Sequence, residues 1–324
     1  MARLAETASI RDAPTLSIVI PVRDRSHALR RLLVRLADLT RACSNDVEVI
    51  VVDDGSQEPV VLPQCRHNVR LVRQRRKGAN PARSAGLKLA RGCYVHFHDS
   101  DDDFHDDWFL EVFPFLRNGQ ADVILTGRKE ALPDGTTRVR ISRFAQYHAR
   151  RPAFIGRRLR YENTLGPFGG VIFRREILNK ITFLGLDACQ DWQIYGALYW
   201  STLTIAVIDA PLLISNKRGC DRISQSMRRR TLGHLQLARH WKLSKIGQKR
   251  LRLFYLWRLR RDLKSGVSRH EGRLWRLARP HAIALGISWE VRLVAQGQFA
   301  SILSVIYVKV KRRLLGCITT SPNA

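Results

Sequence analysis

The stretch Glu48-Val-Ile-Val-Val-Asp-Asp-Gly-Ser56 decides how the chain is read. An apolar, β-branched run ends in two aspartates and a Gly-Ser turn signal. Such a run marks a strand buried on both faces, as in a parallel sheet. A second run, Leu16-Ser-Ile-Val-Ile20, lies upstream and is closed by Pro21. Val69–Val72 and Cys93–Phe97 read as two further strands. Helical patterns fall between them. Ser26 offers a cap, and Leu29, Leu32, Leu33, Leu36 and Leu39 follow at helical spacing. Pro81–Arg91 reads as a helix with Ala82, Ala85, Leu89 and Ala90 on one side. Strands alternating with helices predict an α/β fold with a mostly parallel sheet. Ligands of such sheets bind at the carboxyl ends of the strands. The residues that follow the first, second and fourth strands are therefore the ones to inspect.

Acidic groups stand there. Asp53-Asp54-Gly55-Ser56 follows the second strand and Asp99-Ser100-Asp101-Asp102-Asp103 the fourth. Carboxylates held together repel, and a cation relieves them. A hard divalent ion, Mg²⁺ or Mn²⁺, bound by one or two carboxylates with water and phosphate oxygens, suits this spacing. The plain alternatives are a solvated loop that caps the next helix and, for Asp53-Asp54, a simple turn. Two acidic groups at two strand ends say more than either alone. His96 and His98 share a strand face beside them and read as strand residues rather than ligands. On residue type alone, Asp191 is an ordinary aspartate at a helix N-terminus.

Four segments then appear in order: LSIVIPVRDR (Leu16–Arg25), VVDDGS (Val51–Ser56), KGANPARSAG (Lys77–Gly86) and VHFHDSDD (Val95–Asp102). Together they resemble family 2 glycosyltransferases of the GT-A fold. GVIFRREI (Gly170–Ile177) is similar to that family's segment near the acceptor, and Gln190-Asp191-Trp192 to its Glu-Asp-Trp motif. The resemblance covers residues 14–226. It implies a Rossmann-like sheet with flanking helices and an enzyme that moves a sugar from a nucleotide-sugar, a UDP-sugar, to a saccharide or lipid-linked acceptor. It implies that Pro21, Val22, Arg23 and Asp24 line the nucleotide pocket and that Asp53 or Asp54 reads the uracil. Arg83 lies near the phosphates. Asp99, Ser100 and Asp101 form the Asp-x-Asp motif, with Asp101 the leading metal ligand and Asp99 and Asp102 beside it. Asp191 is the catalytic base of an inverting displacement. Two departures stand out. Arg23-Asp24 replaces the family's Tyr-Asn or Tyr-Asp, and Gln190 replaces the acidic residue before the base, leaving Asp191 without a like-charged neighbour. Gly169-Gly170 and Arg174-Arg175 read equally as acceptor-side groups, or as a turn and a solvated pair.

Composition sets the outer bounds. The 324 residues carry 56 Lys+Arg against 28 Asp+Glu, a net +28, which calls for a polyanionic partner. The imbalance is local. From Lys217 onward there are 25 basic and 4 acidic residues, while residues 1–216 hold 31 and 24. Residues 1–226 therefore read as the GT-A domain and 227–324 as a basic, mainly helical region. Its Arg228-Arg229-Arg230 and Lys311-Arg312-Arg313 interleave with Leu and Trp, as in segments that lie on an anionic membrane surface. A nucleic-acid- or membrane-binding module on an α/β scaffold is the alternative reading, without a recognisable DNA- or RNA-binding motif. No apolar run reaches membrane-spanning length; Thr202–Ile214 and Phe299–Val310 are too short. Met1–Thr15 lacks the apolar core of a signal peptide. Six scattered cysteines without a CxxC pair argue for reduced thiols. These features predict a cytoplasmic protein, peripheral on the inner face of the membrane. A dinucleotide oxidoreductase is disfavoured, because Pro21-Val22-Arg23-Asp24 stands where its glycine-rich turn belongs.

Overall fold

The computed structural model describes residues 13–63, 68–132, 134–159, 162–216 and 227–241. Most of the basic C-terminal third, including Phe299–Val310, lies outside them. The chain divides into two compact units, Met1–Gly185 with Gln190–Gly219, and Leu186–Cys189 with Cys220–Ala324. In the second, helix Met227–His240 buries Leu232 and Leu237, and its Gln236 exchanges hydrogen bonds with Asp187.

The first unit is built on seven strands: β1 (Leu16–Val22), β2 (Val47–Asp53), β3 (Val69–Arg73), β4 (Tyr94–Phe97), β6 (Val123–Leu125), β9 (Val171–Arg174) and β10 (Ile205–Val207). Their order is β10-β6-β9-β4-β1-β2-β3, parallel except for β9, which runs against β4 and β6. A smaller sheet has the order β5-β11-β7-β8, from β5 (Asp103–Phe104), β11 (Leu213–Asn216), β7 (Arg128–Ala131) and β8 (Thr137–Arg140).

The apolar runs are continuous because both faces of the sheet are covered. Leu16, Ile18, Ile20 and Val22 pack with Leu29, Leu32, Leu33 and Leu36 of α1 (Ser26–Leu39) and with Val112 and Leu116 of α3 (Trp108–Asn118). Each such side chain contributes about 2 kcal/mol by leaving water. On the other face α2 (Ala79–Leu89) lies so close that a methyl group on Gly86 would meet Val19 at 2.3 Å.

Three local expectations are corrected. Pro21 does not close the first strand; it lies within β1, in register with Val52. Val19 accepts from His98 N and Val22 from Asp54 N, so Pro21 faces the β4 side. The β4 ladder has already ended at Val19 and Phe97, and the missing N–H costs no bond. Ser26 is the first residue of α1 rather than its cap, which is Arg25 with no side-chain cap bond. The buried face of α2 is Asn80, Ala82, Arg83, Gly86 and Leu87, while Ala85 and Leu89 keep part of their surface in solvent. The helix turns its polar Asn80 and Arg83 inward because they have partners there. Thr202–Ile214 resolves into β10 and part of β11 around Asp209. Among the described residues no helix is long and apolar enough to cross a membrane, and Cys43, Cys93 and Cys189 are free thiols.

Candidate active site

The loops after β1, β2 and β4 lie side by side because those strands are adjacent in the sheet. The β1 loop turns at Asp24, whose φ is +52°. It is tied to the β2 loop twice: Asp24 N donates to Ser56 Oγ at 2.9 Å, and Gln57 N donates to Asp24 Oδ1 at 2.8 Å. Gly55 has a φ of +73° and lies against the Arg76 backbone, where a side chain would clash. Pro21 and Val22 are buried beneath this turn. Arg23 is half-exposed and pairs with Asp24 at 3.2 Å.

The two β2 aspartates differ. Asp54 is saturated: Oδ1 accepts from Gln74 Nε2 and Lys77 N, and Oδ2 from Gly78 N, all at 2.7–2.8 Å. It fastens the loop that starts α2. Asp53 accepts from Ser56 N on Oδ1. Its Oδ2 is buried without a hydrogen bond and lies 3.5 Å from Arg73 Nε. Of the pair, Asp53 retains acceptor capacity.

Past β4, two partly exposed carboxylates each face an arginine. Asp99 Oδ1 meets Arg83 Nη2 at 2.5 Å, and Asp101 Oδ2 meets Arg25 Nη1 at 2.5 Å. Ser100 is buried. Asp102 is also buried, accepts from Ser215 Oγ at 3.1 Å and so reaches into the small sheet. Below them His96 and His98 sit in the core. His98 stacks on Phe104 with ring centroids 3.9 Å apart. His96 Nδ1 lies 3.2 Å from Val171 O, and its Nε2 lies 3.3 Å from His98 Nδ1. A carbonyl only accepts, so His96 carries its proton on Nδ1 and receives one from His98 at Nε2. Burial holds the pair neutral, with pKa values near 3 and 4.

Asp191 lies in the first turn of the helix Gln190–Ala197. Its carboxylate accepts from Trp192 N at 2.7 Å and from Asn163 Nδ2 at 3.0 Å. Loss of hydration pushes its pKa up to about 6; Asp99 adds to this, and the Trp192 N–H, Arg83 and Asn163 oppose it. The absence of an acid at position 190 thus does not isolate Asp191, because Asp99 takes the like-charged part. Arg83 ties Asp99 to Gln190, the residue before Asp191. It is buried, lies 4.5 Å over the Phe168 ring, and donates to Asn80 Oδ1, Gln190 Oε1 and Asp99.

Arg174 and Arg175 stand elsewhere, at the amino end of β4. Arg174 holds Asp122 at 2.9 Å and Arg175 donates to Gly92 O, so both are structural. Gly169-Gly170 is a buried turn against Leu213. Asn163, Asn80, Arg25 and Phe168 carried no motif of their own. Only Asn163-x-x-Gly-Pro looks like a turn, and the structure shows why: Asn163 Oδ1 accepts from Leu165 N and Gly166 N.

Among the described residues no three His, Cys, Asp or Glu side chains gather as a ready-made metal cluster. The donors present are hard carboxylate oxygens on one short loop. They fit Mg²⁺ or Mn²⁺ held by one or two carboxylates and completed by phosphate and water; they do not fit an all-protein cage.

The profile of the family described as Glycosyl transferase family 2 matches residues 17–182. The chain belongs to glycosyl transferase family 2. Its family relatives include the uncharacterized glycosyltransferase EpsJ of Bacillus subtilis (strain 168), 26% identical over 131 residues. That match covers 39% of this chain and 37% of EpsJ, so the chain spans little more than a third of the relative's length. Among solved structures, S. aureus TarS 1–349 in complex with UDP-GlcNAc matches with a TM-score of 0.61 and 19% identity, covering 93% of this chain and 92% of that one. The mannosyltransferase PcManGT from Pyrobaculum calidifontis, in complex with GDP-Man and Mn²⁺, matches with a TM-score of 0.51 and 14% identity, covering 90% and 88%. The family 2 chain therefore has the GT-A fold.

Proposed function

We propose that this family 2 chain is a nucleotide-sugar-dependent glycosyltransferase that moves a sugar from a UDP-sugar to a saccharide or lipid-linked acceptor, with inversion and Asp191 as base. One observation carries this reading: a carboxylate with a pKa near 6 directly follows Gln190, which Arg83 ties to Asp99 of the acidic loop. An acceptor hydroxyl is a poor nucleophile at neutral pH. A general base with a pKa near the working pH takes its proton as the bond forms, for ~10²–10⁴-fold. Asp191 meets that need: it is ionised above pH 6 and more basic than an ordinary aspartate. A single base acting in one displacement inverts the anomeric centre.

Asp53 Oδ2 is the buried acceptor suited to a uracil N–H. Pro21, Val22, Arg23 and Asp24 form the wall beside it. Arg83 and Arg25 supply positive charge near the diphosphate. A divalent metal on Asp101, with Asp99 or Asp102, would act as a Lewis acid for the leaving phosphate. The neighbours TarS and PcManGT, each in complex with a nucleotide-sugar, support the donor class, and the Mn²⁺ of the second supports the metal. Residues 1–226 form the transferase domain and 227–324 a basic region. Its 22 basic and 3 acidic residues, a balance of +19, suit a peripheral position on the cytoplasmic face of an anionic membrane.

Thermal denaturation with UDP and Mn²⁺ tests the donor site. Binding at 100 times Kd stabilises by about 2.7 kcal/mol, read as a rise in Tm. No rise with any nucleoside diphosphate, together with salt-sensitive retention on nucleic acid, would instead make the chain a binding module.

A further inference from the structure

Residues 128–162 contain ten Lys+Arg and three Asp+Glu; the rest of residues 1–216 contain 21 of each. The whole net charge of residues 1–216, +7, therefore resides in one segment. That segment is β7, β8, α4 (Arg143–His148) and α5 (Pro152–Leu159), and it runs directly into Asn163, the partner of Asp191.

The register concentrates the charge further. In the antiparallel β7–β8 pair, Arg128 stands opposite Arg140 and Glu130 opposite Arg138. Side chains two apart on a strand share a face, so three arginines and one glutamate occupy one side of the hairpin. Glu130 is held by Nε of Arg128 at 2.9 Å and Nε of Arg140 at 3.8 Å. One carboxylate thus serves two directly opposed cations, and like charges so placed destabilise a sheet. Arg150 and Arg151, in the turn between the two helices, and Arg157 on α5 are exposed. Arg157 is held in place over the Phe154 ring at 4.1 Å. None of these three lies within 4 Å of a carboxylate among the described residues. The face adjoins the base: a side chain on Gly166 would meet the Arg128 guanidinium at 2.4 Å, and Gly166 O accepts from the same Asn163 Nδ2 that holds Asp191.

Nine of the ten cations are arginine. Arginine presents a planar fork that matches phosphate in bidentate fashion. We propose that the acceptor is a phosphodiester-linked polymer, and that the Arg128/Arg138/Arg140 face with the exposed arginines of α4–α5 holds its phosphates while one hydroxyl reaches Asp191. This rests on the transferase reading and specifies its acceptor class. The face's continuity with the Asp191 loop favours a polymer that enters the site over a flat lipid surface.

The test uses the full chain and a fluorescent poly(glycerol phosphate) oligomer at 150 mM salt. Arg138→Glu/Arg140→Glu is compared with Arg30→Glu/Arg31→Glu on α1, which changes the net charge equally at two exposed positions. The hairpin variant loses tenfold or more in affinity and the control less than threefold, while both keep the wild-type Tm rise with UDP. Equal losses in the two variants would assign binding to overall charge and overturn the proposal. Hairpin-dependent binding of polyglutamate at equal affinity would overturn the phosphate class. Hairpin-dependent binding of phosphatidylglycerol vesicles without oligomer binding would replace the polymer by a membrane. If UDP and other nucleoside diphosphates leave the wild-type Tm unmoved while the oligomer still binds through the hairpin, the transferase reading fails and the phosphate face stands.

Discussion

At the amino ends of β1, β2 and β4, Glu48 is wholly buried and every neighbour serves it. Ser17 Oγ donates at 2.6 Å, Arg91 N at 2.6 Å and Arg70 Nη2 at 2.8 Å, and Gly92 N closes the set by donating to Ser17 Oγ. At the carboxyl ends of the same strands, Asp99 and Asp101 remain partly exposed and Asp191 is held above the usual carboxylate range. The same sheet thus carries a closed charge at one end and reactive charges at the other. Satisfying a buried carboxylate completely lowers its pKa and locks strands together. Leaving one under-compensated raises its pKa and makes it a base. Mutations at the two ends should therefore separate stability from chemistry.

The largest separation is expected for Asp191→Asn. Transfer falls about 10³-fold, while UDP still raises Tm as in the wild type, since Asp53 and the β1 loop are untouched. Product analysis at single-turnover enzyme concentration checks the first and thermal shift the second. Transfer retained within tenfold would remove Asp191 from the chemistry and leave it an ordinary helix-start aspartate.

The opposite pattern is expected for Glu48→Ala: about 3 kcal/mol of stability lost, with kcat per folded molecule unchanged. The low end of the range for a broken buried pair applies because Arg70 and Arg91 both reach solvent. Burial pushes Glu48 up, but Ser17, the Arg91 N–H and the two guanidinium groups outweigh it, so its pKa lies below the ordinary value. Its stabilisation is therefore present above the unfolded pKa and lost as pH falls through the folded one. Urea titrations from pH 7 downward should show wild type and variant converging in acid. Parallel curves would place the contribution in packing rather than charge.

The legible part of this molecule is the part with strong local patterning. β1 and β2 announce themselves as apolar runs, and the aspartates after β2 and β4 stand where a parallel sheet places its ligands. The small sheet left no such trace. Its strands are two to four residues long, and Arg128–Ala131 and Thr137–Arg140 have no apolar face to show a period of two. β11 joins β7 across more than eighty residues, which no local window reports. Pro21 read as a stop because a sequence does not say which neighbour a strand residue faces. That α2 turns Asn80 and Arg83 inward leaves no local trace, because their partners, Gln190 and Asp99, come from distant segments.

Asn163 gives the finest test of the comparison, because it touches the base without being one. Its Nδ2 donates to Asp191 and its Oδ1 caps Leu165 N and Gly166 N. A donor stabilises the ionised carboxylate, so removing it raises the pKa of Asp191 further. A hydrogen bond to a charged group contributes about 1.5 kcal/mol at the low end, or about one pH unit. The acid limb of kcat/KM, expected near pH 6 in the wild type, should move up by that amount in Asn163→Ala. The loss is then roughly fivefold at pH 6, approaches tenfold below it and is small at pH 8. Asn163→Asp keeps the loop-capping oxygen, removes the donor and adds a negative charge beside Asp191. Its acid limb should move further still while the loop holds. If both variants lose activity equally at every pH, Asn163 acts through the loop alone, and the under-compensated carboxylate is not what sets the rate.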